Sequence, residues 1–183
     1  MNAIGGKRFG AAVVAFFCLM LASKGVCWAW SNTLLLEAGV APKASEGVKL
    51  TYTRDFGWRW FESDVGYISP NLEAGAGFFR EEGSSDVYGF EALPLLIYVF
   101  KTDFALQPYL EGGAGGVYLT EETIEGNNLG GHLQFADILG LGCRFGRQRQ
   151  HSLGARYVHY SNADLHSVND GIDYVLLRYG FSF

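Results

Sequence analysis

The sequence predicts an all-β protein, an eight-stranded antiparallel transmembrane β-barrel. Three observations support this fold class. The chain opens with an apolar stretch typical of a secreted protein, its remainder repeats short alternating segments, and its last segment has apolar side chains at every second position. Helix-like periodicity is almost absent, and after the opening stretch no run approaches eighteen consecutive apolar residues, which argues against a helical membrane protein.

The opening residues have the order of a secretory signal peptide. A positive start, MNAIGGKR, is followed by the uncharged and mostly apolar run 9–22, and small residues precede a cleavage position after Ala29. The apolar run is too short for a comfortable membrane-spanning helix. We therefore predict a signal peptide at residues 1–29 and an outer-membrane β-barrel at residues 30–183.

Cleavage leaves about 154 residues, which is enough for one domain. It removes three of the 14 basic residues and none of the 19 acidic ones, so the formal net charge changes from -5 to -8. An acidic chain argues against a nucleic-acid partner, which would require a basic surface. Cys143 is then the remaining cysteine, and we interpret it as a small packed residue rather than a nucleophile.

Eight segments in the mature chain alternate weakly between apolar and polar residues, and clusters of Gly, Asn, Asp and Ser separate them. The segments are 31–40, 47–58, 70–80, 87–100, 105–118, 131–145, 151–161 and 172–183. Segments of about ten residues with this pattern are typical of the strands of a transmembrane barrel.

The last segment, 172–183, gives the strongest signal. Its odd positions hold Val175, Leu177, Tyr179, Phe181 and Phe183. Alternate residues of a strand share a face, so this face meets lipid and the even positions, among them Arg178, face a polar lumen. Such a strand resembles the assembly signal of outer-membrane proteins, which implies the outer-membrane assembly machinery as a partner. A soluble lipocalin-like barrel is the alternative, but there the apolar side chains point inward.

The strand number also predicts the topology. An even number places both ends of the barrel domain on the periplasmic side, so the connection 162–171 between the last two strands lies at the cell surface. Further surface loops are predicted at 41–46, 81–86 and 119–130, which are rich in Gly, Glu or Asn. Trp58 and Trp60 fall near the periplasmic rim, where aromatic belts collect.

Alternation on the last two strands brings three polar side chains to the lipid face. Asp173 is an odd residue of the last strand, and placing Arg156 in the lumen turns His159 and Ser161 outward. Ionisable groups on a lipid face are costly away from the interface. The three residues therefore either contact headgroups and water at the rim, or form a triad with Ser161 as nucleophile, His159 as base and Asp173 as orienting acid.

The segment HYSNADLHSVNDGID, residues 159–173, resembles the signature of the PagL family of outer-membrane lipid A 3-O-deacylases. Similar segments follow the family order: RWFESDVGYI, LQPYLEGGAGG and NLGGHLQFADILGLG. The resemblance implies that Ser161 and His159 are the catalytic serine and histidine. The acidic member is usually glutamate, and Asp173, which is one methylene shorter, takes its place here.

The same resemblance implies an oxyanion site next to the serine. Asn169 is the implied donor, supported by Asn162 and by the backbone of Ala163 and Asp164. The family usually has glycine where this chain has Asp164. Its negative charge would repel a tetrahedral intermediate unless the side chain turned to solvent.

Other polar residues are less informative. His132, His151 and His166 are scattered without metal-ligand spacing, so neither a metal nor another cofactor is expected. Asp137 interrupts an odd-numbered apolar row, which predicts a bulge or an inward turn there.

These observations predict a serine carboxylic-ester hydrolase in the bacterial outer membrane, with its active site at the outer leaflet. The resemblance implies that it removes the ester-linked 3-hydroxyacyl chain at position 3 of lipid A, so that lipopolysaccharide and the surrounding outer-membrane lipid are its partners. Two alternatives are an outer-membrane phospholipase or acyltransferase with the same triad, and a non-catalytic small barrel that serves adhesion or membrane integrity.

Overall fold

A computed structural model describes residues 31–41, 45–80 and 86–183 of the chain. The predicted signal peptide at 1–29 lies outside the described residues, as do positions within two of the predicted surface loops. Within the described ranges, no helix is long and apolar enough to cross a membrane.

The described part of the chain contains ten strands. They are β1 (Ser31–Val40), β2 (Glu46–Asp55), β3 (Gly66–Arg80), β4 (Val87–Phe100), β5 (Gln107–Leu119), β6 (Thr123–Ile124), β7 (Asn127–Asn128), β8 (Leu133–Phe145), β9 (His151–Ser161) and β10 (Ile172–Ser182). Eight of them close into an antiparallel barrel in the order β1-β10-β9-β8-β5-β4-β3-β2, and β6 pairs with β7 in a separate hairpin. The predicted fold class is therefore confirmed.

The largest departure from the predicted segments lies between β2 and β3. β2 ends at Asp55 rather than residue 58, because Gly57 has φ +71° and its N–H donates to Asp55 Oδ1 at 2.7 Å. β3 begins at Gly66 rather than residue 70, because Gly66 already pairs with Phe100 of β4. In the connection between them, Trp58 stacks between two other aromatic rings, with centroid distances of 5.1 and 6.3 Å, at the barrel end where β1 begins.

Side chains alternate between the outside and the inside of the barrel. On β1, Leu34 and Leu36 are exposed, whereas Leu35 and Glu37 are buried. The same outward apolar row occurs on the other strands, with members such as Val48, Leu50, Phe90, Leu110, Leu139, Leu141, Leu153, Val175 and Leu177. Because the apolar side faces outward, the polarity is that of a membrane barrel and the lipocalin-like alternative is wrong.

A network of buried charges fills the middle of the barrel. Arg156 and Arg178 point inward, as predicted, and both are almost fully buried. Arg156 Nε donates to Glu111 Oε1 at 2.8 Å, and Arg178 Nη2 donates to Glu73 Oε2 at 2.8 Å. Glu37 completes the network, with Oε2 at 3.3 Å from Arg178 Nε. Side chains of this network thus occupy the middle of the barrel, as is usual for the interior of an eight-stranded barrel.

Two connections meet at the barrel end opposite to the start of β1. The β6–β7 hairpin turns through Glu125 and Gly126, which both have positive φ, as a tight hairpin requires. Its Asn128 N–H donates to Asp170 Oδ2 at 2.8 Å, and Asp170 N–H donates to Asn128 O at 3.1 Å. The hairpin therefore supports the β9–β10 loop.

The structure at Asp137 differs from the predicted bulge or inward turn. β8 alternates regularly around it and pairs without interruption, Asp137 with Ala114 on β5 and with His159 on β9. The predicted bulge or inward turn is wrong: Asp137 is exposed on the lipid-facing side, level with His159.

Candidate active site

Two neighbouring strands place the three predicted triad residues on the outside of the barrel, and among the described contacts a hydrogen bond joins His159 to Asp173 but none joins Ser161 to His159. His159 and Ser161 are two residues apart at the end of β9, so they share its outward face, and Asp173 lies near the start of β10. The antiparallel register pairs His159 directly with Asp173. The Cβ atoms of such a pair lie about 4.5–5.5 Å apart, which lets the two side chains meet.

A short hydrogen bond joins the histidine to the aspartate. His159 Nδ1 lies 2.7 Å from Asp173 Oδ1, and the two side chains are 37% and 45% exposed. An ionised carboxylate only accepts hydrogen bonds, so Nδ1 is the donor. Nε2 then carries the lone pair, and this is the tautomer that a general base requires.

Gly171 confines the other edge of the imidazole. A Cβ on Gly171 would lie 2.9 Å from His159 Cε1 and 3.4 Å from Nε2. Gly171 also has φ +67°, a conformation that glycine adopts without steric cost. Glycine therefore allows the loop to approach the Nε2 edge closely. Sequence analysis missed this role, for which the N-D-G run of the loop was the available signal.

The chain turns sharply directly after Ser161. Ala163 has φ +53° and Asp164 has φ +61°, and Leu165 N–H donates to Asn162 O at 3.1 Å. Non-glycine residues rarely adopt this conformation, and such strain is often found at functional sites. Among the described residues, the N–H groups of Ala163 and Asp164 have no hydrogen-bond acceptor, so both can donate to an incoming oxygen.

Asn169 lies across this turn. Its Oδ1 accepts a hydrogen bond from Asn162 N–H at 2.8 Å, and its Nδ2 donates to Asp164 Oδ1 at 3.0 Å. An amide nitrogen carries two hydrogens, so a second donor position remains for substrate. Asp164 is exposed, but its carboxylate turns to the Asn169 amide rather than only to solvent.

Asn162 supports the turn from the inside of the barrel end. Its side chain is fully buried, and Nδ2 donates to Leu129 O at 2.8 Å and to Val168 O at 2.6 Å. These bonds connect the two ends of the β9–β10 loop with the segment after the β6–β7 hairpin. Asn162 therefore holds the loop in place and does not face the triad.

Residues 46–182 match the family described as Lipid A 3-O-deacylase (PagL). The chain belongs to the PagL family. It is 29% identical over 162 residues to Lipid A deacylase PagL of Pseudomonas aeruginosa, covering 87% of this chain and 91% of that relative. It is 30% identical over 135 residues to Lipid A deacylase PagL of Bordetella bronchiseptica, covering 72% of this chain and 70% of that relative.

Solved structures agree with the family assignment. The crystal structure of the outer membrane enzyme PagL superposes with a TM-score of 0.75 at 26% identity, covering 81% of this chain and 98% of that one. Neisserial surface protein A superposes with a TM-score of 0.52 at 12% identity, covering 84% of this chain and 94% of that one, and this likeness concerns the fold alone. The predicted family and the predicted location in the bacterial outer membrane are confirmed.

The two departures from the PagL pattern have structural explanations. Asp173 is shorter than the usual glutamate, but direct pairing with His159 brings its carboxylate within hydrogen-bond distance. The usual glycine at position 164 matches the positive φ found there, and aspartate is one of the few other residues that tolerate this conformation, but its carboxylate does not turn away to solvent as expected and instead accepts a hydrogen bond from Asn169.

Tyr157 was missed in the sequence. Its hydroxyl donates to Asp173 Oδ1 at 2.6 Å, the same oxygen that His159 Nδ1 contacts. Alternation alone places Tyr157 on the outward face with His159, but a tyrosine on a lipid face is usually attributed to the aromatic belt.

The other histidines lie apart from this centre. His132 Nδ1 is 2.9 Å from Leu119 O, and His151 Nδ1 is 2.8 Å from Tyr179 Oη at the opposite barrel end. His166 lies beside Gly131 in the loop region. In the part of the chain that the structure describes, no group of three His, Cys, Asp or Glu residues could hold a metal ion. Independence from metal stays a prediction.

Proposed function

We propose that the protein is a lipid A 3-O-deacylase that hydrolyses the ester-linked 3-hydroxyacyl chain at position 3 of lipid A. Membership of the PagL family supports the substrate. The reaction uses Ser161, His159 and Asp173 as a catalytic triad, which makes the protein a serine carboxylic-ester hydrolase. The observation that carries this assignment is the 2.7 Å bond from His159 to Asp173 on the outward face that also bears Ser161.

Acylation begins when Ser161 Oγ attacks the ester carbonyl and His159 Nε2 accepts the serine proton. Asp173 holds the imidazole and stabilises its charged form. The developing oxyanion accepts hydrogen bonds from the N–H groups of Ala163 and Asp164 and from Asn169 Nδ2. One such donor is typically worth roughly 10²–10³-fold in rate. Collapse breaks the bond to the sugar oxygen, which takes the proton from His159 and leaves an acyl-serine.

Deacylation repeats these steps with water. His159 Nε2 accepts a proton from a water molecule, the resulting hydroxide attacks the acyl carbonyl, and the same donors stabilise the second tetrahedral intermediate. The intermediate releases a 3-hydroxy fatty acid, and Ser161 regains its proton. No step requires a metal ion.

The position of the triad supports action at the outer leaflet. Ser161 is the last residue of β9, at the loop end of the barrel, and exposed apolar side chains such as Leu139 on β8 and Leu153 on β9 lie further from that end. The ester bonds of lipid A lie near headgroup level, which is the depth that this arrangement matches. The apolar outward face of β10 supports insertion by the outer-membrane assembly machinery.

Mass spectrometry of lipid A from a Gram-negative host expressing the protein tests the proposal. We expect lipid A to lose the mass of one 3-hydroxyacyl chain, to keep its amide-linked chains, and to be modified equally in the presence of chelator. Ser161→Ala should abolish the change. Ser152→Ala, on the same strand, is the matched control and should leave the change intact.

Each other result contradicts a different part of the proposal. Intact lipid A with cleaved glycerophospholipid would make the protein a phospholipase or acyltransferase. No change in either lipid would make it a non-catalytic barrel. Activity in folded Ser161→Ala protein would assign the nucleophile to another residue.

A further inference from the structure

Two hydrogen-bond donors from β9 converge on one oxygen of Asp173. His159 Nδ1 lies at 2.7 Å and Tyr157 Oη at 2.6 Å from the same Oδ1 atom. The three residues lie on one outward face, with His159 directly opposite Asp173 and Tyr157 opposite Val175. One donor, His159 Nδ1, therefore lies at the level of the carboxylate. The other, Tyr157 Oη, belongs to a residue two positions closer to the middle of β9.

The surroundings of Tyr157 are apolar. Its cross-strand partners are Leu139 on β8 and Val175 on β10, which are both exposed on the lipid-facing side. A step of two residues along a strand is about 7 Å, so the backbone of Tyr157 lies that far along β9 from His159, toward the middle of the strand. From these apolar surroundings the Tyr157 side chain extends toward the loop end of the barrel, where its hydroxyl contacts the Asp173 carboxylate. A charge at such a boundary requires a donor on its membrane side, because water is scarce there.

We propose that Tyr157 is a positioning residue for the shorter acidic member of the triad, an inference that rests on the proposed function. An aspartate side chain has one rotatable bond less than glutamate, and its carboxylate reaches His159 with little length to spare. The tyrosine hydroxyl fixes the orientation of Oδ1 and satisfies it on the membrane side. Asp173 thereby remains ionised and correctly aimed at Nδ1 when His159 becomes charged.

The chain contains a close control for this residue. Tyr179 also faces outward, is 45% exposed against 44% for Tyr157, and has its hydroxyl 2.8 Å from a histidine, His151. It lies at the opposite end of the barrel, away from the triad. A general role of lipid-facing tyrosine hydroxyls in folding would affect both positions alike, whereas a role in catalysis is confined to Tyr157.

The experiment compares Tyr157→Phe and Tyr179→Phe in refolded protein acting on lipid A in mixed micelles. Tyr157→Phe should lower kcat roughly tenfold with little change in KM, the size expected for one lost hydrogen bond to a charged group. Tyr179→Phe should keep the parent kcat. Both variants should keep the parent fraction of heat-modifiable, folded barrel.

A second background separates positioning from a general structural effect. Asp173→Glu moves the carboxylate by one methylene, so its oxygen no longer sits where the Tyr157 hydroxyl points. In that background, Tyr157→Phe should change kcat by less than about twofold, because the hydrogen bond that it removes is already absent, and this non-additivity is the sign of coupled positions. The coupling between the two positions is the quantity that the proposal predicts.

Two outcomes would overturn the inference. One is a Tyr157→Phe variant with the kcat of the parent protein. The other is a fall in kcat on Tyr157→Phe that is equally large in the parent and in the Asp173→Glu background. Failure of the parent protein to deacylate lipid A would instead contradict the proposed function, so the two failures are distinguishable.

Discussion

His159 lies between two carboxylates, and the structure distinguishes them. Asp173 of β10 accepts its Nδ1–H at 2.7 Å. Asp137 of β8 is its register partner on the other side and is exposed on the same lipid-facing surface. A carboxylate on either side can stabilise the imidazolium that forms during the reaction, but orientation of the ring requires the hydrogen bond. Asp173 should therefore matter more than Asp137.

Asp173→Asn should reduce kcat by roughly 10²–10⁴-fold, because the amide keeps the shape of the carboxylate and loses its charge and its preference for accepting the Nδ1 proton. The loss should be less complete than for Ser161→Ala. Asp137→Asn, which removes the same charge from the opposite flank, is the control and should retain most activity. Initial rates of lipid A deacylation check both. Equal losses would mean that charge alone, and not orientation, is what His159 requires.

The residue scale also shows how far sequence reasoning reaches. His159, Ser161 and Asp173 could be predicted to share a face, because alternation fixes the face of every strand residue. Tyr157 and Gly171 could not be assigned their contacts. The contact of Tyr157 depends on how far its hydroxyl reaches across the strands, and that of Gly171 depends on a backbone conformation. The alternation of a strand predicts only the face on which a side chain lies.

At the scale of elements, the β9–β10 loop is held from both sides. Asn162 ties its start to Leu129, and Asp170 ties its end to Asn128 in the β6–β7 hairpin. The barrel strands were predictable as elements because each repeats its alternation over many residues. The hairpin was not, because two-residue strands are too short to show a pattern, and it lies within a segment predicted to be a loop.

Gly171→Ala tests whether this loop confines the catalytic histidine. The new Cβ would lie 2.9 Å from His159 Cε1, so the ring must move, and kcat should fall while the barrel stays folded. The substitution also strains a backbone with φ +67°, at a cost of roughly 1–2 kcal/mol.

Gly126→Ala is the matched control for this strain. Gly126 has a similar φ of +73°, but a Cβ there meets nothing within 4 Å. Thermal unfolding and deacylation rates should show comparable stability losses for the two variants, with a fall in kcat confined to Gly171→Ala. A parallel fall in both would attribute the effect to loop strain rather than to contact with His159.

On the scale of the whole molecule, the interior and the exterior of the barrel have separate tasks. In the middle of the interior, two arginines and three glutamates pair with one another, so this region supplies stability and no passage for a lipid. The exterior carries the apolar face and, at its loop end, the triad. Strand alternation places neighbouring residues, such as Arg156 and Tyr157 on β9, on the interior and the exterior face of the barrel.

This separation predicts that stability and catalysis can be changed independently. Arg156→Leu should destabilise the barrel by roughly 3–5 kcal/mol, because Glu37, Glu73 and Glu111 would then share Arg178 alone in a buried site. Arg80→Leu, which removes an exposed arginine 3.1 Å from Asp86, is the control and should cost about 1 kcal/mol or less. Thermal unfolding in detergent micelles, followed by circular dichroism, measures both.

The folded fraction of Arg156→Leu should deacylate lipid A at the parent rate, because His159 and Ser161 lie on the opposite face of β9. A slower folded fraction with unchanged unfolding temperature would show that the interior network sets the geometry of the triad as well as the stability of the barrel.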